Sequence, residues 1–351
     1  MHEVGFSRFT RRSFLAGAGS AFLACMAPGS LWAKTDKLRW RMAVPWSIRE
    51  KVLLQGADRF VKQVSLLSES RLAISLHAAG TLAGAGEILE AVRSGEADCG
   101  QIFAYELAGE SPAAEWFFSV PFGLTPDGLN HWFYAGEGLP LLNEVARKSD
   151  LAALPMGDTG PRPFGWFSED FGGLDSLRAS VPGRLAAAVL QQAGAKMSDF
   201  SLSQGPEDLY REKIDMLGSR GAYLDMSARF NSSARRLYLP FGLTPTGRML
   251  FIINRDAYGS LPAILRKLLQ AACAQEDLRL QADLAFAESE ARHRTARSER
   301  SELARVPAEA AESLAARAPD ALAQVAKSDG LAAKVHGKYQ KYLADICASS
   351  F

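Results

Sequence analysis

Apolar and polar residues alternate over residues 38–45 (LRWRMAVP), the two-residue period of a half-buried strand. Over 50–67 the apolar positions fall at helical spacing instead (Val52, Leu53, Ala57, Phe60, Val61, Val64), which predicts an amphipathic helix. Residues 72–76 return to a strand, broken at Ala78-Ala79-Gly80. A short helix over 87–94 ends at Gly95, and 97–104 reads as a third strand. This β-α-β-α-β order belongs to an open α/β sheet. The alternation then repeats, with strands at 155–158 and 177–181 and a helix at 183–193 closed by Gly194. A strand at 198–202, a helix at 206–213 and a strand at 214–217 complete it. Two similar units joined in the middle predict two lobes and a cleft. The run 250–254 (LFIIN) reads as a buried strand that returns the chain to the first lobe.

Helical spacing dominates from Leu261 onward. Leu265, Leu268, Leu269, Ala272 and Cys273 share a face, and Leu278, Ala282, Ala285 and Phe286 extend it. The run 288–305 is dense in both charge signs, the pattern of a solvated helix face, with a surface for another subunit as the functional alternative. The expected organisation is a leader at 1–33, a first lobe at 34–153 plus about 250–280, and a second at 154–249. C-terminal helices at 281–351 then brace the lobes or form a dimer contact. No repeat of solenoid period is present.

Composition narrows the class. With 351 residues, 48% of them hydrophobic and 23% charged, the chain can bury a core in each of two or three lobes. Disordered, collagen-like and disulfide-scaffold classes are excluded. Lys+Arg 40 against Asp+Glu 39 leaves no basic footprint for nucleic acid. Thr10-Arg11-Arg12-Ser13-Phe14-Leu15, followed by small and apolar residues to Ala27, reads as a twin-arginine secretory signal cleaved after Ala33. The expected destination is the periplasm. An uncleaved anchor and a lipid on Cys25 are the alternatives, and Phe22-Leu23 makes a poor lipid-attachment site. Cys99, Cys273 and Cys347 lie far apart, so buried thiols, or one internal bridge at most, are expected.

Catalytic signatures are absent. His2, His77, His131, His293 and His336 are nowhere spaced with Cys, Asp or Glu as metal ligands. There is no G-x-S-x-G elbow, P-loop or H-E-x-x-H. Gly84-Ala85-Gly86 lacks the third glycine of a dinucleotide fingerprint, which Leu89 replaces, and reads as the glycine-rich start of a helix. Neither an enzyme nor a cofactor is expected.

A series of segments carries a resemblance. They are Ala78-Ala79-Gly80-Thr81-Leu82, the run 87–98 (EILEAVRSGEAD), Val120-Pro121-Phe122-Gly123-Leu124, and Asp158-Thr159-Gly160 with Gly165-Trp166. Val181-Pro182-Gly183, the run 209–215 and Asn254-Arg255-Asp256-Ala257-Tyr258 follow. In this order, across 40–262, they resemble the periplasmic solute-binding subunit of tripartite ATP-independent periplasmic (TRAP) transporters, in the branch that binds α-keto acids and lactate. The resemblance implies an α/β, two-lobed periplasmic binding protein, type II-like, with long C-terminal helices. It implies closure over a small organic anion, delivery to membrane permease subunits, and often a homodimer through the C-terminal helices.

The pocket departs from the pattern that the resemblance implies. The family's arginine before its V-P-G-like turn, a two-pronged grip on carboxylate, falls here at Ser180. A glutamine that helps hold a cation beside the ligand falls at Arg162. A glutamate and its aromatic neighbour fall at Gly218 and Ser219, and a later glutamate at Thr244. Acids left without their cation would be buried and unpaired, at high cost. Replacing them with Arg162 keeps the pocket's sign without a metal. The expected site is therefore Arg162, aided by Arg184 or Arg248, binding an anion directly. Tyr105 and Trp166 wall the pocket, Ser180 lies at the turn, and Asp215 marks the nearby strand end. The competing reading is a non-transporting sensory or interaction protein on the same scaffold.

Overall fold

The computed structural model describes residues 37–348; the expected leader and its arginine pair lie outside them. The first unit runs β1 (Leu38–Ala43), α1 (Lys51–Leu67), β2 (Leu72–His77), α2 (Ile88–Arg93) and β3 (Cys99–Phe103). Two 3₁₀ turns, Ala104–Gly109 and Pro112–Phe117, lead to α3 (Pro126–Tyr134), α4 (Gly138–Ala146) and β4 (Leu151–Asp158). The second unit holds β5 (Gly165–Phe167), β6 (Arg178–Ser180), α5 (Arg184–Gln192), β7 (Lys196–Ser198) and α6 (Gly205–Tyr210). It continues through β8 (Met216–Gly218), α7 (Ala222–Ser227) and β9 (Arg236–Tyr238). The chain returns through β10 (Arg248–Asn254) and α8 (Arg255–Ser260). It ends with α9 (Ala263–Ala296), β11 (Glu302–Ala304), α10 (Ala308–Ala326) and α11 (Gly330–Ala348).

Two sheets result, ordered β2-β1-β3-β10-β4 and β11-β9-β5-β8-β6-β7. In the first, β1 pairs in parallel with β2 and β3, and β10 runs antiparallel between β3 and β4. β10 is buried from Arg248 to Ile253, so it reads as an unbroken apolar run rather than an alternation. The expected boundary at 153/154 moves outward: β4 continues past Pro155 as the partner of β10, and Asp158 lies opposite Arg248. In the second sheet β6 pairs in parallel with β7 and β8. The strand expected at 198–202 is observed at Lys196–Ser198, because 199–202 turn out of the sheet.

α1 buries the predicted stripe, and Phe60 packs on Phe251 with ring centroids 4.9 Å apart. α9 spans about 50 Å at 1.5 Å per residue. Its first part lies on β4 and α1, and its later part reaches α7 and β11. The expected apolar face fails past Cys273: Leu278 and Phe286 are 69% and 72% exposed. The buried positions there are Glu276, Asp277, Leu280, Leu284, Ala287, Glu288, Ala291 and Thr295, so Glu288 does not belong to a solvated face. α10 packs on α5, and α11 on the Pro112–Phe117 turn. Cys99 and Cys273 are buried free thiols. Among the described residues no helix is long and apolar enough to cross a membrane.

Candidate functional site

In open α/β sheets, ligands bind beyond the carboxyl ends of the parallel strands. Here the loops that follow β1, β2, β3, β6, β7 and β8 all meet around one cavity of about 1200 Å³. The first sheet contributes Pro45, Trp46, Leu89, Phe103, Tyr105, Glu106 and Glu115; the second contributes Val181, Gly183, Arg184, Phe200 and Arg220. Trp46 Nε1 donates to Gln101 Oε1 at 2.7 Å, and Gln101 Nε2 donates to the Met156 carbonyl, which fixes the indole. Phe103 and Tyr105 stack with centroids 5.8 Å apart, and Phe118 stands edge-on to Tyr105 at 4.8 Å.

The seven expected site residues separate. Tyr105 and Arg184 line the cavity. Arg162 does not; it lies one layer behind the wall, 1% exposed, with its guanidinium 4.5 Å from the Phe118 ring centroid. Its Nε donates to the Thr246 carbonyl and its Nη1 to the Ser219 carbonyl, both at 2.9 Å. Its Nη2 has no partner among the described residues. Burial lowers its pKa to about 10, with Asp158 and Tyr105 acting in the opposite sense.

Four expected residues sit away from the wall. Arg248 is buried between Asp158 (3.2 Å) and Asp277 (2.7 Å), so its charge is already neutralised. Trp166 is at the middle of β5 with Nε1 donating to Asp225 at 2.9 Å, a core position. Ser180 is buried and its Oγ donates to the Asp199 carbonyl at 3.0 Å. Asp215 precedes β8, at the amino end of a parallel strand and opposite the cleft, and pairs with Arg178.

Arg220 was not among the expected residues. It lines the cavity while only 6% exposed, and its Nε has no partner among the described residues. The signal lay in its position: Ser219-Arg220-Gly221 directly follows the carboxyl end of β8. Asp225 anchors this loop by accepting from Arg220 N at 3.1 Å, from Trp166 Nε1 and from Ser219 Oγ. Gly221 adopts φ 124°, a left-handed value that favours glycine, where α7 begins over Glu288. Two carboxyls share the wall. Glu106 accepts from Phe103 N at 2.8 Å, and burial raises its pKa to about 7 against the pull of that N–H and of Arg220. Glu115 faces the Arg184 and Leu185 N–H groups at the start of α5, and burial likewise raises it to about 7.

Two sheets that offer their strand ends to one aromatic and cationic cleft, spanned by a long helix, define a two-lobed solute receptor. The sequence pattern of the bacterial extracellular solute-binding proteins, family 7, matches residues 47–329, and the chain belongs to that family. The monocarboxylate 2-oxoacid-binding periplasmic protein of Nostoc sp. is 28% identical over 269 residues, 75% of this chain and 73% of the relative. A TRAP periplasmic solute-binding protein of Pseudoalteromonas atlantica with bound sodium and pyruvate superposes with a TM-score of 0.81 at 26% identity. It covers 90% of this chain and 96% of that one. Its counterpart from Colwellia psychrerythraea, with bound calcium and pyruvate, gives 0.82 at 25% identity, covering 90% and 97%.

The residues of this chain do not fit such a cation. Arg162 and Thr244, two of the positions that the resemblance assigns to cation holding, and Ser219, next to the third at Gly218, do converge. Arg162 N donates to the Thr244 carbonyl at 3.0 Å, and Arg162 Nη1 reaches the Ser219 carbonyl. What they surround is a guanidinium. A Cβ at Gly218 would come within 2.9 Å of the Val181 Cα, so that position has no room for an acidic side chain. Among the described residues no three His, Cys, Asp or Glu side chains are grouped to hold a metal ion.

Proposed function

We propose that this protein is the periplasmic receptor of a TRAP-type secondary transporter, binding a small organic carboxylate of the 2-oxo or 2-hydroxy class without a metal ion. One observation carries the reading: at the carboxyl ends of both sheets, the cleft wall and the layer behind it hold guanidinium groups with unpaired nitrogens. Buried cations without counter-charge are costly, and a ligand carboxylate removes that cost. Arg162 supplies fixed positive charge behind Phe118, at a position where the resemblance implies a cation-holding side chain; the relatives named above bind sodium or calcium with pyruvate. Export by the twin-arginine route, transfer to permease subunits and a homodimer through the C-terminal helices belong to the same reading.

Calorimetric titration of the exported chain with pyruvate and lactate, first in chelator and then with calcium or sodium, tests it. The expected result is saturable binding of at least one acid, unchanged by the metal. Arg162→Ala is expected to weaken it by tenfold or more. Failure of these two acids and of larger 2-oxo acids alike to bind would end the receptor reading; binding that needs the metal, or is equal in Arg162→Ala, would end the role given to Arg162.

A further inference from the structure

We propose that Arg220 is the residue that holds the ligand's carboxylate, and that the ligand is a monocarboxylic acid with an apolar or aromatic body larger than that of pyruvate. This rests on the receptor reading above and names its substrate class.

The cavity wall carries three arginines, Arg49, Arg184 and Arg220. Arg49 and Arg184 are exposed, and water satisfies them. Arg220 is buried, and among the described residues no carboxylate forms an ion pair with it and no acceptor takes a hydrogen bond from its side chain. Its guanidinium carbon lies 6.0 Å from the Phe103 ring centroid, at the edge of cation–π range. The loop beneath it is held at three points: Arg162 on the Ser219 carbonyl, Asp225 on Arg220 N, and Ser219 Oγ accepting from Gly221 N at 2.9 Å. A charge fixed in place on an aromatic wall, with its donors free, is preorganised for one carboxylate. Its location also accounts for Ser180. β6 and β8 are neighbouring parallel strands with Ser180 beside Leu217, so the loop bearing Arg220 leaves the sheet next to the turn after Ser180.

The rest of the wall selects the body of the acid. Trp46, Leu89, Phe103, Tyr105, Met197 and Phe200 line a space of about 1200 Å³. Sites that enclose drug-sized ligands run about 300–1,000 Å³, so a three-carbon acid would leave most of this surface wet. A second carboxylate beside Arg220 is disfavoured at neutral pH and above, where Glu106 and Glu115, each raised to about 7, are at least partly ionised and repel it.

The test is calorimetric titration of the exported chain with phenylpyruvate, 4-methyl-2-oxopentanoate, pyruvate and 2-oxoglutarate. Phenylpyruvate or 4-methyl-2-oxopentanoate is expected to bind at least tenfold tighter than pyruvate, and 2-oxoglutarate weakest. Arg220→Met should reduce the tightest affinity at least a hundredfold. Arg220→Lys, which keeps the charge but loses the fork, should fall between and so separates a lost grip from a lost fold. Pyruvate binding tightest, or Arg220→Met equal to wild type, would overturn this inference and leave the receptor standing. No binding of any of the four acids would overturn both.

Discussion

Glu106 sits on the cleft wall with one backbone hydrogen bond and a guanidinium nearby, and its carboxyl titrates at about 7, chiefly because it is withdrawn from water. A carboxylate bound at Arg220 adds negative charge beside it and would raise that value further. Binding in neutral buffer should therefore take up protons. Below about pH 6 Glu106 is already neutral and affinity should be flat. Above about pH 7 the ionised side chain competes for Arg220, and affinity should fall by up to tenfold per pH unit. Titrations in buffers of different ionisation heat measure the proton count directly. Glu106→Gln should abolish the slope while keeping the acceptor for Phe103 N. An unchanged slope in that variant would place the titrating group elsewhere, Glu115 being the other wall carboxyl raised to about 7.

At the scale of elements, α9 joins the two sheets through buried acids set among its apolar residues, not through the continuous apolar stripe that its spacing suggests. Glu276 accepts from Arg59 Nη2 at 2.6 Å, and Asp277 from Arg248 at 2.7 Å and Gly157 N at 2.6 Å. Glu288 accepts from Ala222 N at 2.7 Å and Tyr223 N at 3.1 Å, the first turn of α7. Asp277→Ala should lower unfolding stability by about 3–5 kcal/mol, since it leaves Arg248 partly unpaired in the interior; urea unfolding measures it. Arg248 keeps Asp158, so a loss near the lower bound would assign most of the neutralisation to that residue. These contacts also mark how far the sequence can be read. The strands β1 to β3, α1 and β10 follow from their periodicity because their faces are apolar. The buried face of α9 does not, because Glu276, Asp277 and Glu288 count as polar until their partners, from 29 to more than 200 residues away, are known. The site divides the same way. Tyr105 and Arg184, both expected in the site, reach the cavity wall, whereas Arg248 looks like a free arginine until Asp158 and Asp277 close around it. Arg220 escapes a reading that searches only the positions where the family's ligand groups fall.

For the whole molecule, the two sheets are joined, besides α9, by two further sets of contacts among the described residues. At the crossover the joining segments are knitted together: Arg162 N to the Thr244 carbonyl at 3.0 Å, Thr244 Oγ1 to the Arg162 carbonyl at 3.2 Å, and Thr246 Oγ1 to the Phe118 carbonyl at 2.7 Å. Across the cleft mouth the contacts are few. Tyr223 on α7 accepts from Val52 N at 2.9 Å, and Ser227 Oγ donates to the Arg49 carbonyl at 3.2 Å. Val52 N lies in the first turn of α1, where amides lack a helical partner, and Tyr223 serves as its cap, a contact that lobe opening would break. Opening exposes both groups to water, and the net worth of each bond is about 1 kcal/mol. Tyr223→Phe combined with Ser227→Ala should then shift the lobes toward the open state and weaken ligand affinity by roughly tenfold. The loss should fall on the dissociation rate, because the grip at Arg220 is untouched and encounter with an open cleft is not hindered. Stopped-flow tryptophan fluorescence, with Trp46 on the cleft wall as reporter, separates the two rates. A slower association with unchanged dissociation would mean that the mouth contacts organise the empty cleft rather than hold the filled one shut.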